Sequence, residues 1–167
     1  MIYQDVYIGV GSNLDDRFTA IKSALDQIKF TSKTIRMSSM YQSRAQGFTS
    51  QPQFINCVFE VTTSVNLWNM LGLIRKIESS CGRHRVFPNA PRILDLDILF
   101  WGKMQLALPV LTIPHPRILD RGFTLAPLLE LRPDFKHPFN QVPLKDVYES
   151  LPDSQKPLKL SGPIQYP

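Results

Sequence analysis

The sequence predicts a single-domain α+β fold over residues 1–167, with two helices covering one face of an antiparallel sheet, and three observations predict it. Four short runs rich in β-branched and aromatic residues carry the period-two alternation of strands. Two further stretches place apolar side chains at three- and four-residue steps behind a capping residue, the pattern of amphipathic helices. The elements come in the order β-α-β-β-α-β, and a chain of 167 residues, 43% hydrophobic, suits one core and leaves little room for a second.

The first strand is predicted over 6–10, where Val6, Ile8 and Val10 precede the turn residues Gly11, Ser12 and Asn13. Asp15 or Asp16 then caps a helix whose apolar stripe is Phe18, Ile21, Leu25 and Ile28. A second strand is predicted over 34–41 and a third over 54–62, separated by a polar loop containing Arg44, Gly47 and Pro52. In the third, alternation sets Ile55, Cys57, Phe59 and Val61 against Phe54, Asn56, Val58 and Glu60. The more apolar first set is taken as the core face. Asn66 caps the second helix, with Leu67, Met70, Leu71, Ile74 and Ile77 buried and Gly82 as its stop. The stretch 83–91 is too basic and proline-broken for regular structure, and 93–101 is the fourth strand. This is the ferredoxin-like arrangement, which leaves the second sheet face available for ligands. A C-terminal extension follows: a hairpin through 106–113, a short helix near 123–131, and a proline-punctuated tail over 133–167.

No stretch approaches the ~20 apolar residues of a membrane span, and residues 1–10 lack a signal peptide's basic-then-apolar layout. A cytoplasmic protein is expected. Cys57 and Cys81 form no CxxC and have no His at zinc-ligand spacing, so neither a disulfide scaffold nor a zinc site is expected. The formal net charge of +5 favours polyanions without choosing between RNA and a nucleoside triphosphate.

The fourth strand carries the chemistry. Alternation places Leu94, Leu96, Ile98 and Phe100 on one face and Asp95 with Asp97 on the other. Two carboxylates in the middle of an apolar strand repel each other and resist desolvation, so they call for a cation or a solvated face. Hard oxygen ligands suit Mg²⁺, which commonly bridges a carboxylate and substrate phosphates. A DxD pattern alone is equally consistent with an ordinary wet sheet face. The balance shifts because Arg83, His84, Arg85 and Arg92 lie just upstream and His115, Arg117 and Arg121 follow the hairpin. Guanidinium groups grip phosphate oxygens in a fork and stabilise charge developing during phosphoryl transfer. Phe54 and Asn56 share a strand face, where an aromatic and an amide could hold a flat heterocycle; a semi-exposed Phe and a sheet-surface Asn is the plainer reading.

At this point the chain resembles the 6-hydroxymethyl-7,8-dihydropterin pyrophosphokinases of folate biosynthesis. The resemblance rests on Gly11-Ser12-Asn13-Leu14, Gln51-Pro52-Gln53-Phe54-Ile55-Asn56, Gly82-Arg83-His84-Arg85, Pro91-Arg92-Ile93-Leu94-Asp95-Leu96-Asp97, and Pro114-His115-Pro116-Arg117 through Arg121-Gly122-Phe123. These run in family order across roughly the first three quarters of the chain. The resemblance implies transfer of pyrophosphate, as one unit, from ATP to the pterin's hydroxymethyl oxygen, releasing AMP. It implies Asp95 and Asp97 as ligands of two Mg²⁺ ions, and Phe54, Asn56 and Phe123 around the pterin. Glu78, Arg92, His115 and Arg121 would contact ATP, Arg83 and Arg92 would stabilise transfer, and 83–91 would be a mobile lid. A monomer that binds neither nucleic acid nor membrane is the corresponding expectation. The chain departs from the family pattern at Asn89, at Arg44-Ala45 and at Val110, all in loops.

Two other readings make different demands. An RNA-recognition module of the same fold would expose two or three aromatics on its central strands and have no acids between them. A nucleotide-sugar transferase using DxD would need a longer chain than this one.

Overall fold

The elements follow the predicted order and then continue. In the computed structural model, which describes residues 1–81 and 90–160, they are β1 (Gln4–Ser12), α1 (Arg17–Lys29), β2 (Thr34–Met37), β3 (Tyr41–Ser43), β4 (Phe54–Thr63), α2 (Leu67–Ser80) and β5 (Asp95–Trp101). After them come β6 (Leu106–Leu108), β7 (Leu111–Ile113), α3 (Gly122–Leu131), α4 (Leu144–Ser150) and β8 (Leu158–Lys159). The main sheet is antiparallel, in the order β5-β1-β4-β3-β8, with β2 also pairing β4, while β6 and β7 form a separate hairpin. No helix among the described residues is long and apolar enough to cross a membrane.

Both predicted helix caps form. The Asp16 carboxylate accepts from the Thr19 amide at 3.2 Å, and the Asn66 side chain accepts from the Asn69 amide at 2.9 Å. The inner face of α1 is Ala20, Ile21, Ala24, Leu25 and Ile28, while Phe18, expected on that stripe, stands 49% exposed in the first turn. In α2 the expected stripe is buried except for the half-buried Leu71; the proposed stop at Gly82 lies outside the described residues.

The strand expected over 34–41 is two strands. At Ser38 the side chain takes over the ladder: the Val58 amide donates to Ser38 Oγ at 3.0 Å, and the Ser38 amide donates to the Val58 carbonyl at 3.0 Å. A hydroxyl that bonds nearby backbone competes with regular pairing, so β2 stops at Met37 and β3 restarts at Tyr41.

One core lies between α1, α2 and the sheet, and it takes Ile55, Cys57, Phe59 and Val61 of β4, the predicted face. Burying each such aliphatic or aromatic side chain is worth about 1.5–3 kcal/mol. The opposite face was expected to stay free, but half of it is covered. Tyr7, Val58, Leu99 and Phe100 pack there against Ile118, Leu125, Leu128 and Leu144 from the C-terminal extension. Phe100 was assigned to the face of Leu94, Leu96 and Ile98. A β-bulge overturns that: Ile8 pairs with Ile98 but Tyr7 pairs with Phe100, so Leu99 is an extra residue and Phe100 crosses over.

The stretch 133–167 was read as a proline-punctuated tail, with no element assigned to it. Instead α4 seals the second core through Leu144, and β8 adds a strand to the edge of β3. A polar lock fixes α3 to the same edge: Glu130 accepts from Ser39 Oγ at 2.8 Å, from the Ser39 amide at 3.1 Å and from Tyr41 Oη at 2.7 Å, with Lys159 Nζ at 3.5 Å. Burial is the largest influence on this carboxyl and opposes its ionisation. The bonds from Tyr41 and Ser39 and the charge of Lys159 together outweigh it, holding the group below the ordinary 4.5. A depressed carboxyl pKa means that the unfolded chain binds more protons, so this contribution is present above pH 4.5 and fades as pH falls through the folded value. Thermal melts against pH should therefore show a steeper acid loss for the wild type than for Glu130→Gln, which should also be about 1–3 kcal/mol less stable at pH 7. Identical acid slopes in the two proteins would contradict this account.

Candidate active site

The uncovered half of the second sheet face lies where β1 ends and where β4 and β5 begin. Gly9 and Gly11 floor it. A Cβ at Gly9 would sit 3.1 Å from Leu99 Cδ2, and one at Gly11 would sit 3.3 Å from Asn56 Oδ1 and 3.5 Å from Phe54 Cδ1. With no side chains there, a cavity of about 300 Å³ remains, bounded by Phe54, Asn56, Asp95, Asp97, Arg92, Arg121 and Phe123, among others. That is the lower end of the range for small-molecule sites.

Among the described residues each carboxylate pairs with an arginine, and each of these arginines lies over an aromatic ring. Arg92 Nε stands 3.5 Å from Asp95 Oδ2, with its guanidinium 5.6 Å from the Phe54 ring centre. Arg121 Nη1 donates to Asp97 Oδ2 at 3.0 Å, with its guanidinium 5.6 Å from the Phe123 ring centre. The cleft therefore joins two flat apolar rings to a shelf of two acids through two cations. The buried Nε of both arginines lacks a hydrogen-bond partner among the described residues, leaving donor capacity beside the acids.

His115 sits at the same shelf, with Nε2 3.6 Å from Asp97 Oδ2 and 3.3 Å from Arg121 Nη1. Its Nδ1 accepts from the Arg117 amide at 3.2 Å, so in the neutral ring the proton resides on Nε2. Burial is the main influence and pulls its pKa below the usual histidine value; Asp97 opposes this, while Arg121 and Arg117 reinforce it. The ring is neutral at pH 7.

Asn56 is neither surface-exposed nor free to turn. It is 4% exposed, and its amide donates to Ser43 Oγ at 2.9 Å and to the Tyr41 carbonyl at 3.4 Å. Phe54, at 9% exposed, is buried as well. The plainer reading of these two residues as sheet-surface groups is thus overturned: both are buried, packed over Gly11, where a side chain would crowd them.

Asn13 was read only as a turn residue, yet it staples three segments. Its amide donates to the Arg92 carbonyl at 3.1 Å and its Oδ1 accepts from the Arg92 amide at 2.8 Å, while Nδ2 donates to Gln51 Oε1 at 2.8 Å and to the Pro52 carbonyl at 3.1 Å. Its signal in the sequence was its place directly after a Gly-Ser strand end, which marks a turn but not the turn's distant partners. Glu78 lies elsewhere: it is 5% exposed, does not line the cavity, and its Oε1 accepts from the Leu96 amide at 2.9 Å, between the two acids. Arg83 and most of the expected lid over 83–91 lie outside the described residues.

The residues fit a divalent cation in a particular way. Among the described residues no group of three or more His, Cys, Asp or Glu could enclose a metal. Two adjacent carboxylates, hard oxygen donors on one strand face, suit Mg²⁺ held partly by substrate phosphates and water.

Fold and site together define a ferredoxin-like α+β enzyme of phosphoryl transfer, with an aromatic slot beside an acid-and-arginine shelf. The family model described as 7,8-dihydro-6-hydroxymethylpterin-pyrophosphokinase (HPPK) matches residues 7–133. The chain belongs to this family, and is a pyrophosphokinase of folate biosynthesis. A 2-amino-4-hydroxy-6-hydroxymethyldihydropteridine pyrophosphokinase from Aquifex aeolicus is 36% identical over 141 residues, covering 84% of this chain and 88% of the relative. The protein of the same name from Bacillus subtilis is 38% identical over 127 residues, covering 75% and 76%. The folic acid synthesis protein fol1 of Pneumocystis carinii is 37% identical over 149 residues; this covers 89% of the present chain but 20% of that protein, so the chain spans about a fifth of its length. The solved structure of Plasmodium falciparum HPPK-DHPS, wild type with STZ-DHP, superposes with a TM-score of 0.70 at 15% identity, over 89% of this chain and 43% of that one. At that identity the likeness shows the fold.

Proposed function

We propose that the cleft holds its two substrates side by side, the dihydropterin ring against Phe54 and Phe123 and the ATP triphosphate over Asp95 and Asp97. The observation that supports this most is the doubled Asp-Arg-aromatic arrangement, which gives one cleft both a surface for a flat heterocycle and a cationic, metal-compatible shelf. Asn56, oriented by Ser43, would read the ring edge. Arg92, Arg121 and His115 would position phosphate oxygens, and Arg83 joins Arg92 in stabilising transfer on the strength of its motif. Bound Mg²⁺, two ions by expectation, would neutralise triphosphate charge. In the reaction the hydroxymethyl oxygen bonds to the β-phosphorus, the bond from that phosphorus to the bridging α-phosphate oxygen breaks, AMP leaves, and the hydroxyl proton passes to solvent. No dedicated base is required if the site supplies alignment and charge stabilisation.

The same reading takes the enzyme as a cytoplasmic monomer that binds neither nucleic acid nor membrane. The RNA-binding alternative is disfavoured because α3 and α4 cover half the sheet face it would need, and Phe54 is buried beside an arginine. Incubation with ATP, Mg²⁺ and the hydroxymethyl dihydropterin should yield AMP and the pterin pyrophosphate in equal amounts. ADP as the nucleotide product, or no turnover with adequate metal, would sink the proposal.

A further inference from the structure

The family match ends at residue 133, yet the chain beyond it returns to the cleft. The segment from Leu151 to Leu160 lies against two structures that line the cavity. On one side β8 pairs with β3, Leu158 opposite Gln42 and Lys159 opposite Tyr41, and the Leu160 amide donates to the Met40 carbonyl at 2.9 Å. Ser43, the orienting partner of Asn56, ends that strand, and the cavity-lining residues Arg44, Gln46 and Gly47 follow it. On the other side the segment meets the first residue of α3. A Cβ at Gly122 would overlap the Gln155 carbonyl oxygen and lie 3.3 Å from Leu151 Cδ1. Gly122 stands between Arg121 and Phe123, both lining the cavity.

A second feature marks what the segment supports. Ser43, Arg44, Gln46 and Phe123 line the inner cavity and also an outer groove of about 960 Å³, whose far side is Asp153, Ser154, Gln155, Lys156 and Leu158. These four residues are common to both cavities, and the C-terminal segment forms the opposite wall of the outer one. Its two attachments, to β3 on one side and to the first residue of α3 on the other, tie together the two groups of residues that the cavities share.

We infer that the C-terminal segment, residues 151–160, is a positioning strap that sets the spacing between Phe123 and the Ser43–Asn56 side of the slot, and so governs affinity for the flat heterocycle. The inference rests on the proposed function, because it takes the aromatic slot as the pterin site. The strap touches no substrate. On the β3 side its effect is selective, because Asp95, Asp97 and Arg92 are held instead by β5, Asn13 and Glu78, none of which pairs with the strap; on the α3 side it also meets the residue next to Arg121.

Two variants of the full chain test it. Gly122→Ala forces the start of α3 away from the Gln155 carbonyl, a backbone atom that cannot swing aside. Leu160→Pro deletes the amide that ties the strap to Met40. Both should raise the KM for the dihydropterin about tenfold or more; Leu160→Pro, which leaves the backbone beside Arg121 in place, should also leave the KM for ATP within about twofold and lower kcat less than the pterin KM rises. If Gly122→Ala does not fold, Leu160→Pro decides alone. Unchanged pterin KM in a folded variant overturns the inference, and so does an equal rise in both KM values in Leu160→Pro, which would mark the strap as a general structural support. Wild-type protein that forms no AMP would instead count against the proposed function itself, so the two failures are distinguishable.

Discussion

Asp97→Asn lowers kcat by about 10³-fold or more while leaving the protein as stable as the wild type to within about 1 kcal/mol. The two halves of this expectation come from different surroundings of the same carboxylate. Chemically, Asp97 is one of the two acids that line the cavity among the described residues, so on the proposed function replacing its charged oxygen by an amide removes half of the anionic ligands proposed for Mg²⁺. A few kcal/mol of lost stabilisation where phosphate charge develops corresponds to roughly three orders of magnitude in rate. Structurally, Asp97 is 36% exposed while its partner Arg121 is 11% exposed, and an asparagine keeps an acceptor oxygen for the Arg121 N–H, so the hydrogen bond survives and only its charge assistance is lost, a change of about 1 kcal/mol. Its loss is offset by relief of the repulsion from Asp95. The measurement is AMP formation across a Mg²⁺ titration beside a thermal melt. Near-normal kcat with wild-type Mg²⁺ dependence would remove Asp97 from the metal site, and a collapse of the melting temperature would mean that its role is structural.

How far the sequence could have led to this site depends on the range over which each signal acts. Period-two alternation is local, and it correctly put Asp95 and Asp97 together and the apolar face of β4 against the helices. Three- and four-residue spacing is equally local and located both helices and their caps. Phe100 was misplaced because a bulge changes the alternation after Ile98, and a bulge is decided by both strands of a pair, of which the sequence of one shows nothing. The break between β2 and β3 turns on one hydroxyl at Ser38 choosing Val58, another long-range partner. β8 is two residues long, too short for any periodicity, and exists because the β3 edge was waiting for it. The same limit applied to the site. Basic residues on both sides of the acids were visible, but that Arg92 takes Asp95 and Arg121 takes Asp97 required the hairpin and the bend into α3 to be in place.

Glu78 shows how a residue can belong to a functional motif and act through the backbone. An acid in the last turn of a helix faces the unfavourable end of the helix dipole, and at 5% exposed it is also desolvated, so its position needs a compensating partner. Among the described residues it has the Leu96 amide at 2.9 Å, on the terminal strand of the sheet. An edge strand has amides with no strand to receive them, and this one lies between Asp95 and Asp97. Glu78 therefore holds the strand that carries both acids, from behind. Glu78→Ala should cost about 1–3 kcal/mol through the unpaired buried amide, which lowers the melting temperature of a domain this size by roughly 2–10 °C. Loosening the acids by even a fraction of an ångström should reduce kcat about tenfold and weaken the Mg²⁺ dependence. Glu78→Gln keeps an acceptor oxygen and should restore most of both. A direct ATP contact, the role implied by the family resemblance, requires the opposite pattern: a raised KM for ATP in both variants, with the melting temperature unmoved in Glu78→Gln. The glutamine variant separates the two roles because it removes the charge that a substrate would feel and leaves the acceptor that Leu96 needs.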